Sequence, residues 1–324
     1  MRIGIPRTLW FYSYAPFWQR FFTELGARVV VSPPTTRSIL DEGVAACVSE
    51  ACLPIKVLFG HLDALAGRVD YIFLPRLVCL HSDRLYCPKF LGLPDLVRHS
   101  GMTLPPTLEV RLDRRTGPLF LLKACLQLAE QLGMSRWRAL RAYTRSLVAH
   151  RQYRRHLLQG GLPAGARPTP TPDRAPPAGG PLSVAVVGYP YLIFDDYVNL
   201  GLLAKLAARG VTYRTAETVP DWLLRRQNRA FAKRPFWHYS DVAARAGYHF
   251  LAPGAHQADG VIHITAFACG PDAVVDKMLE LEAERRGSAY LNITLDEQSG
   301  EAGYITRLEA FLDMLERKGA AARA

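Results

Sequence analysis

The sequence predicts an α/β fold of two doubly wound lobes with mostly parallel sheets. Three observations carry this reading. Short apolar runs alternate with helical periodicity from the first residues, the same alternation restarts near residue 183, and a Pro- and Gly-rich stretch separates the two series. Parallel strands need crossover connections, and an alternation of strand and helix supplies them.

Taken in order, residues 2–6 read as a strand. Residues 15–25 read as a helix, with Phe17, Phe21, Phe22 and Leu25 near helical spacing, and residues 27–32 as the next strand, which completes a β-α-β unit. Residues 35–56 read as helix and turn with Ser38 as a cap, 69–75 as a buried strand and 94–99 as a short helix. Residues 1–110 are therefore assigned to an N-terminal α/β lobe. A basic helical segment follows at 111–159, helical over 117–158 through Leu119, Leu122, Leu126, Leu128, Leu132, Trp137, Leu140 and Tyr143. Residues 160–182 hold too much Pro and Gly to pack a core and read as an exposed linker. The C-terminal α/β lobe, 183–324, repeats the pattern. It has a strand at 182–188, a helix at 198–209, strands at 211–214, 260–267 and 288–294, and helices at 272–286 and 303–318. The last helix packs back through Ile305, Leu308, Phe311, Leu312 and Leu315.

Composition bounds the function. With 324 residues and 49% apolar content the chain buries a full core and divides into about two domains. It has no run of about 18 apolar residues, and its N-terminus lacks the pattern of a secretion signal, so the expected compartment is the cytoplasm with no membrane partner. The formal net charge is +11, but residues 111–175 carry thirteen Lys and Arg against three acidic residues, a local excess of +10. The basic character thus belongs to one helical region and its tail. That region reads as a solvated Arg-rich face, as a dock for an acidic protein, or as a field that steers an anionic substrate. No zinc-finger spacing and no aromatic RNA-binding motif accompanies it, so nucleic acid is not an expected partner. The chain also has no G-x-x-x-x-G-K-[ST] loop and no G-x-G-x-x-G after a strand, which argues against ATP hydrolysis by the chain itself.

Six cysteines in a reducing compartment point away from disulfides and toward packing, metal or redox use. Cys125 lies on a helical apolar pattern and is read as core. Cys47 and Cys79 are divided between packing and a supporting role beside ligands. Cys52, Cys87 and Cys269 each precede a proline within two residues, at the passage from a strand or helix into a turn. Cys269 also opens a helix whose Gly270, Pro271 and Asp272 suit an N-terminus, a setting that lowers a thiol pKa. If the fold gathers these three thiols, they form a three-thiolate site suited to an iron–sulfur cluster with one iron open. The alternative is that each is a small buried apolar residue. Asp296, Glu297 and Glu301 crowd the segment after the last strand, either as proton donors and relays or as turn and cap residues with Ser299. His263, on an apolar strand, is read as a satisfied core histidine.

Several segments together carry a resemblance. They are the opening residues 1–9, Ala15-Pro-Phe-Trp18, residues 31–35, Glu50-Ala-Cys-Leu-Pro-Ile-Lys56, residues 87–95, Phe267-Ala-Cys-Gly-Pro-Asp272 and residues 295–311. The chain resembles the acyl-CoA dehydratase activase-related family, which is related to 2-hydroxyacyl-CoA dehydratase subunits and double-cubane cluster reductases. The resemblance implies two Rossmann-like or flavodoxin-like lobes with a cluster between them, and the family's ligand positions fall on Cys52, Cys87 and Cys269. It implies a [4Fe-4S] cluster, alone or as part of a double-cubane [8Fe-9S] cluster, that takes low-potential electrons from an ATP-hydrolysing iron–sulfur activator protein. The cluster would then reduce a small molecule or a 2-hydroxyacyl-CoA. It further implies a homodimer, or a heterodimer with a homologous subunit. Glu297 and Glu301 are the carboxylates expected to handle protons, and Gln298 stands where relatives often carry His. The alternative function is a non-catalytic iron–sulfur electron carrier or assembly partner.

Overall fold

The computed structural model describes residues 1–81, 84–166, 182–254 and 257–321. Of the expected linker at 160–182, residues 167–181 lie outside the described residues. The chain forms two compact units. Unit 1 comprises Met1–Leu157, Pro163–Gly165 and Phe236–His238, and unit 2 comprises Leu158–Leu162, Ala166–Pro235 and Tyr239–Ala324. The basic helical stretch therefore belongs to unit 1 up to Leu157.

Unit 1 runs β1 (Arg2–Ile5), α1 (Phe11–Glu24), β2 (Arg28–Val31), α2 (Arg37–Ala46), α3 (Leu53–Asp63), β3 (Tyr71–Phe73), β4 (Arg76–Cys79), α4 (Pro88–Leu91), α5 (Leu93–Arg98), β5 (Thr107–Leu108), β6 (Arg111–Asp113), α6 (Phe120–Gln131) and α7 (Arg136–Leu158). Its main sheet has the order β2-β1-β3-β5, and β4 pairs with β6 beside it, all parallel. The core centres on Phe73. Trp18, Phe22 and Trp10 surround its ring with centroids at 4.7, 5.0 and 5.4 Å, so the aromatic face of α1 is fixed on the sheet. Helix α1 contains Pro16, which has no N–H for the Tyr12 carbonyl one turn back. Tyr153 of α7 donates its hydroxyl to that carbonyl instead, at 2.5 Å. The helix expected over 117–158 is two helices. Gly133 adopts φ +66, and the Met134 N–H closes on Ala129 O at 2.7 Å, a capping turn that ends α6 before α7 starts.

Unit 2 runs β7 (Ser183–Gly188), α8 (Pro190–Ile193), α9 (Leu202–Ala208), β8 (Thr212–Arg214), α10 (Asp221–Arg226), α11 (His238–Leu251), β9 (Gly260–Ala266), α12 (Gly270–Arg286), β10 (Ala289–Leu295) and α13 (Glu301–Ala321). Its sheet, β10-β9-β7-β8, is also wholly parallel. In both units the spatial order is second, first, third, fourth strand, which is the flavodoxin-like order with the chain reversing direction across the first strand. Helix α9 starts later than expected because Asn199 holds the preceding loop. Its side chain donates to Ile193 O at 2.7 Å and accepts from the Leu202 N–H at 3.1 Å. Helices α10 and α11 fill a stretch, 215–259, to which no element was assigned from sequence. The return of residues 236–238 to unit 1 is fixed by the His238 N–H on Leu85 O at 2.7 Å. Leu308, Phe311, Leu312 and Leu315 of α13 are buried as expected, and Ile305 is half-buried. Among the described residues no helix is long and apolar enough to cross a membrane.

Candidate functional site

Helices α2 and α3 form an antiparallel hairpin whose axes approach closely because Gly43 meets the Lys56 backbone and Gly60 the Ile39 backbone. The hairpin base is pinned beside the carboxyl end of β2. There the buried His61 ring hydrogen-bonds Ser32 Oγ at 2.9 Å and Thr35 Oγ1 at 3.0 Å. Burial, reinforced by the Arg7 charge, lowers the His61 pKa to about 3, so the imidazole is neutral and serves as a structural clasp. The hairpin tip, away from the sheet, carries Cys47 as the C-cap of α2 and Cys52 as the N-cap of α3.

Cys87 is the N-cap of α4 and follows Tyr86, whose N–H bonds Val78 O of β4 at 2.9 Å. The two thiols are close enough to interact. Burial pushes Cys52 up to about 11, and the charge of an ionised Cys87 raises it further. Burial likewise raises Cys87. Backbone N–H groups of the first helical turns work against that cost, with Ile55 donating to Cys52 and both Lys89 and Phe90 to Cys87. The Lys89 ammonium favours the thiolate at Cys47, Cys52 and Cys87 alike, and Lys56, only 4% exposed, adds to this at Cys47. A pair of half-buried thiols that already accept N–H hydrogen bonds in the field of Lys89 has the donor chemistry of an iron–sulfur ligand set.

Cys269 belongs to unit 2 and is the N-cap of α12, directly beyond β9. Its carbonyl accepts the N–H groups of Asp272 and Ala273 at 3.1 and 3.0 Å. The preceding Ala268 is held at φ +63, a strained conformation for a residue with a Cβ and a form of strain that concentrates at functional turns. Behind this turn lies a polar network that no local sequence pattern reveals. His263 is fully buried on β9, with Nε2 3.3 Å from Asp272 Oδ1 and Nδ1 3.3 Å from Asp276 Oδ1. Burial opposes its charge, but the two carboxylates outweigh burial and raise its pKa to about 9. Tyr290 donates to Asp276 Oδ1 at 2.5 Å.

All three expected ligands thus stand at helix N-caps with Pro in the first two helical positions. Two lie in unit 1 and one in unit 2, and among the described residues no group of three or more His, Cys, Asp or Glu is arranged to hold a metal ion. None of the six cysteines is in a disulfide. Cys125 and Cys79 are buried, as packing residues would be. Asp296 makes a turn, accepting from the Gln298 N–H at 2.8 Å and the Ser299 hydroxyl at 2.9 Å. Glu297 is half-buried, and Glu301 is exposed and paired with Lys205 at 2.8 Å, which lowers its pKa.

A solved structure described as "Crystal structure of ZnuA" aligns over 99% of this chain and 98% of its own, at 13% identity and a TM-score of 0.27, and a likeness that low carries no argument. No curated protein matches the chain. Residues 2–219, well over half the chain and including Cys52 and Cys87, match the model of the CoA enzyme activase uncharacterised domain (DUF2229), and the chain belongs to that family.

Proposed function

We propose that this protein is an iron–sulfur protein of the 2-hydroxyacyl-CoA dehydratase-like superfamily. In this reading Cys52, Cys87 and Cys269 hold a [4Fe-4S] cluster, alone or as part of a double-cubane centre. The supporting observation is the shared setting of the three thiols at proline-bearing helix N-caps, with Cys52 and Cys87 within electrostatic reach of each other, half-buried and supplied with N–H donors. When bound, the cluster supplies low-potential one-electron chemistry. An ATP-hydrolysing iron–sulfur activator delivers the electrons, in keeping with the activase-related family, and the substrate is a small molecule or an acyl-CoA.

The chain's own residues bind and shield. Cys52 and Cys87 are half-buried, and Lys89 offsets the negative charge that accumulates at their thiolates. Glu297 and Glu301 are assigned to proton handling. Glu297 is half-buried, and Glu301 is exposed and kept ionised by its pair with Lys205. The exposed arginines of α7, Arg141, Arg151 and Arg155, give the activator an anion-seeking surface.

Oxygen-free purification followed by iron and sulfide counting and electron paramagnetic resonance tests the reading. About four irons per chain are expected for a single cubane. Cys52→Ser, Cys87→Ser and Cys269→Ser each lose the signal, while Cys125→Ser keeps it. A colourless, iron-free wild-type protein overturns the proposal.

A further inference from the structure

A cluster of phenols and imidazoles in unit 1 has no part in the candidate site. Tyr14 stands in the first turn of α1, His150 on α7, His81 two residues beyond β4, and Tyr86 directly before the N-cap of α4. His238 joins them from the short return of residues 236–238, which belongs to this unit. The Tyr14 ring stacks with both His81 and His150, with centroids at 6.0 and 5.9 Å. The His238 ring packs on His81 and on Tyr86, at 5.2 and 4.9 Å.

The Tyr14 hydroxyl is the hub, 2.9 Å from His81 Nε2 and 2.6 Å from the Tyr86 hydroxyl. A phenol has one proton to donate and an oxygen that accepts. With the Tyr14 proton on the bond to His81, the Tyr86 hydroxyl donates to the Tyr14 oxygen. The three groups then form one chain, from Tyr86, 1% exposed, to the exposed His81 ring. Burial pushes the Tyr14 hydroxyl up to about 12, against the smaller effects of its bond to Tyr86 and of the Arg154 charge, so it keeps its proton at neutral pH. Removing an electron from a protonated phenol makes it a strong acid, and the electron leaves readily only where a base takes the proton in the same step. An imidazole within hydrogen-bond reach is such a base. Tyr290 offers a contrast. Its hydroxyl donates to Asp276, and against the effect of burial the bonds of Asp276 to His263 and Tyr290 hold that carboxyl below the ordinary range, a far weaker base than imidazole.

We infer that Tyr14 is a one-electron oxidation site with His81 as its proton acceptor, a trap for oxidising radicals that reach the interior of unit 1. In the step, the Tyr14 O–H bond breaks and its proton forms the Nε2–H bond of an imidazolium at His81. The electron passes to a peroxide-derived oxyl radical, which takes up a proton from solvent and becomes an alcohol or water. The Tyr86 hydroxyl goes on donating to the phenoxyl oxygen and stabilises it. This step uses neither the cysteines nor any bound group, and so stands or falls apart from the proposed cluster.

Laser-flash generation of ruthenium(III) tris(bipyridine), a one-electron oxidant, in a solution of the full-length protein tests it. Transient absorption and electron paramagnetic resonance read the phenoxyl radical. The wild type is expected to form a long-lived radical that a nitroso spin trap, located by mass spectrometry, places on Tyr14. Tyr14→Phe loses that radical and Tyr290→Phe keeps it. His81→Gln slows its formation roughly a hundredfold or more. In His81→Gly added imidazole restores the rate, which a purely structural part for His81 would not allow. Tyr86→Phe keeps the radical and changes its spectrum, because the hydrogen bond to the phenoxyl oxygen is lost. A wild-type adduct located away from Tyr14, or a wild-type rate in His81→Gln, overturns the inference. The first of these needs no variant and so decides even where a substitution disturbs folding.

Discussion

The Tyr153 hydroxyl sits 2.5 Å from the Tyr12 carbonyl oxygen, and that carbonyl is the one Pro16 leaves without a helical donor. A defect in α1 is thereby repaired from α7, a helix 141 residues away in sequence. Tyr153→Phe keeps the ring packing and removes only the donor. It is expected to destabilise the protein by about 1–3 kcal/mol, the cost of an unsatisfied buried carbonyl. Urea unfolding of the two proteins measures it, and equal midpoints would show that water replaces the hydroxyl without loss.

His263 makes stability depend on pH in a defined direction. Its pKa rises from 6.5 to about 9 on folding, because Asp272 and Asp276 overcome the effect of burial. Below the unfolded value both states hold the proton and the full stabilisation is present. As pH climbs from about 6.5 to 9 the unfolded state loses its proton first, and up to about 3 kcal/mol disappears. Unfolding free energies measured across this window should fall for the wild type. They should stay flat for His263→Gln, which cannot titrate.

Thiol reactivity should separate the cysteines in the metal-free protein. With Cys52 near 11, its alkylation at pH 8 is expected to be roughly two hundredfold slower than that of an ordinary thiol, and its rate should climb tenfold per pH unit. Lys89→Ala removes a cation that favours the thiolate and slows Cys52 and Cys87 further. Timed alkylation read by mass spectrometry decides this, and fast labelling of Cys52 at neutral pH would refute it.

Much of this architecture was legible, and the exceptions have physical reasons. The strands β7, β9 and β10 declared themselves as apolar runs, and α12 through the Gly270-Pro271-Asp272 start that follows Cys269. Helix α11 is not legible in the sequence although Tyr239, Ala243, Ala246 and Phe250 recur at four, three and four residues, because two of the four buried positions are alanines with little apolar weight. The break at Gly133 was hidden inside a leucine-rich run. At the candidate site the prolines after each cysteine marked the N-caps. Nothing local in the sequence tells of Lys89 beside Cys52, or of Asp272 and Asp276 around His263, because these neighbours are brought together only by folding.

The α2–α3 hairpin offers a separate test of how Cys52 is placed. A methyl group added at Gly43 or Gly60 would overlap the opposite helix backbone, of Lys56 or Ile39 respectively, and neither backbone can swing aside as a side chain does. Gly43→Ala and Gly60→Ala should each cost about 3 kcal/mol or more. They should also uncouple Cys52 from Cys87, seen as faster alkylation of Cys52. A thermal melt indistinguishable from wild type would show that the helices can part without penalty.

The strand order shared by the two units lets their cysteines be compared position by position. Cys87 and Cys269 both lie on the crossover between the third and fourth sheet strands of their units, each capping a helix with proline in its first two positions, whereas Cys52 lies on the crossover between the second and third, where unit 2 has no cysteine at all. A thiol therefore recurs at the same crossover in both units, and Cys52 gives unit 1 a second one with no counterpart in unit 2.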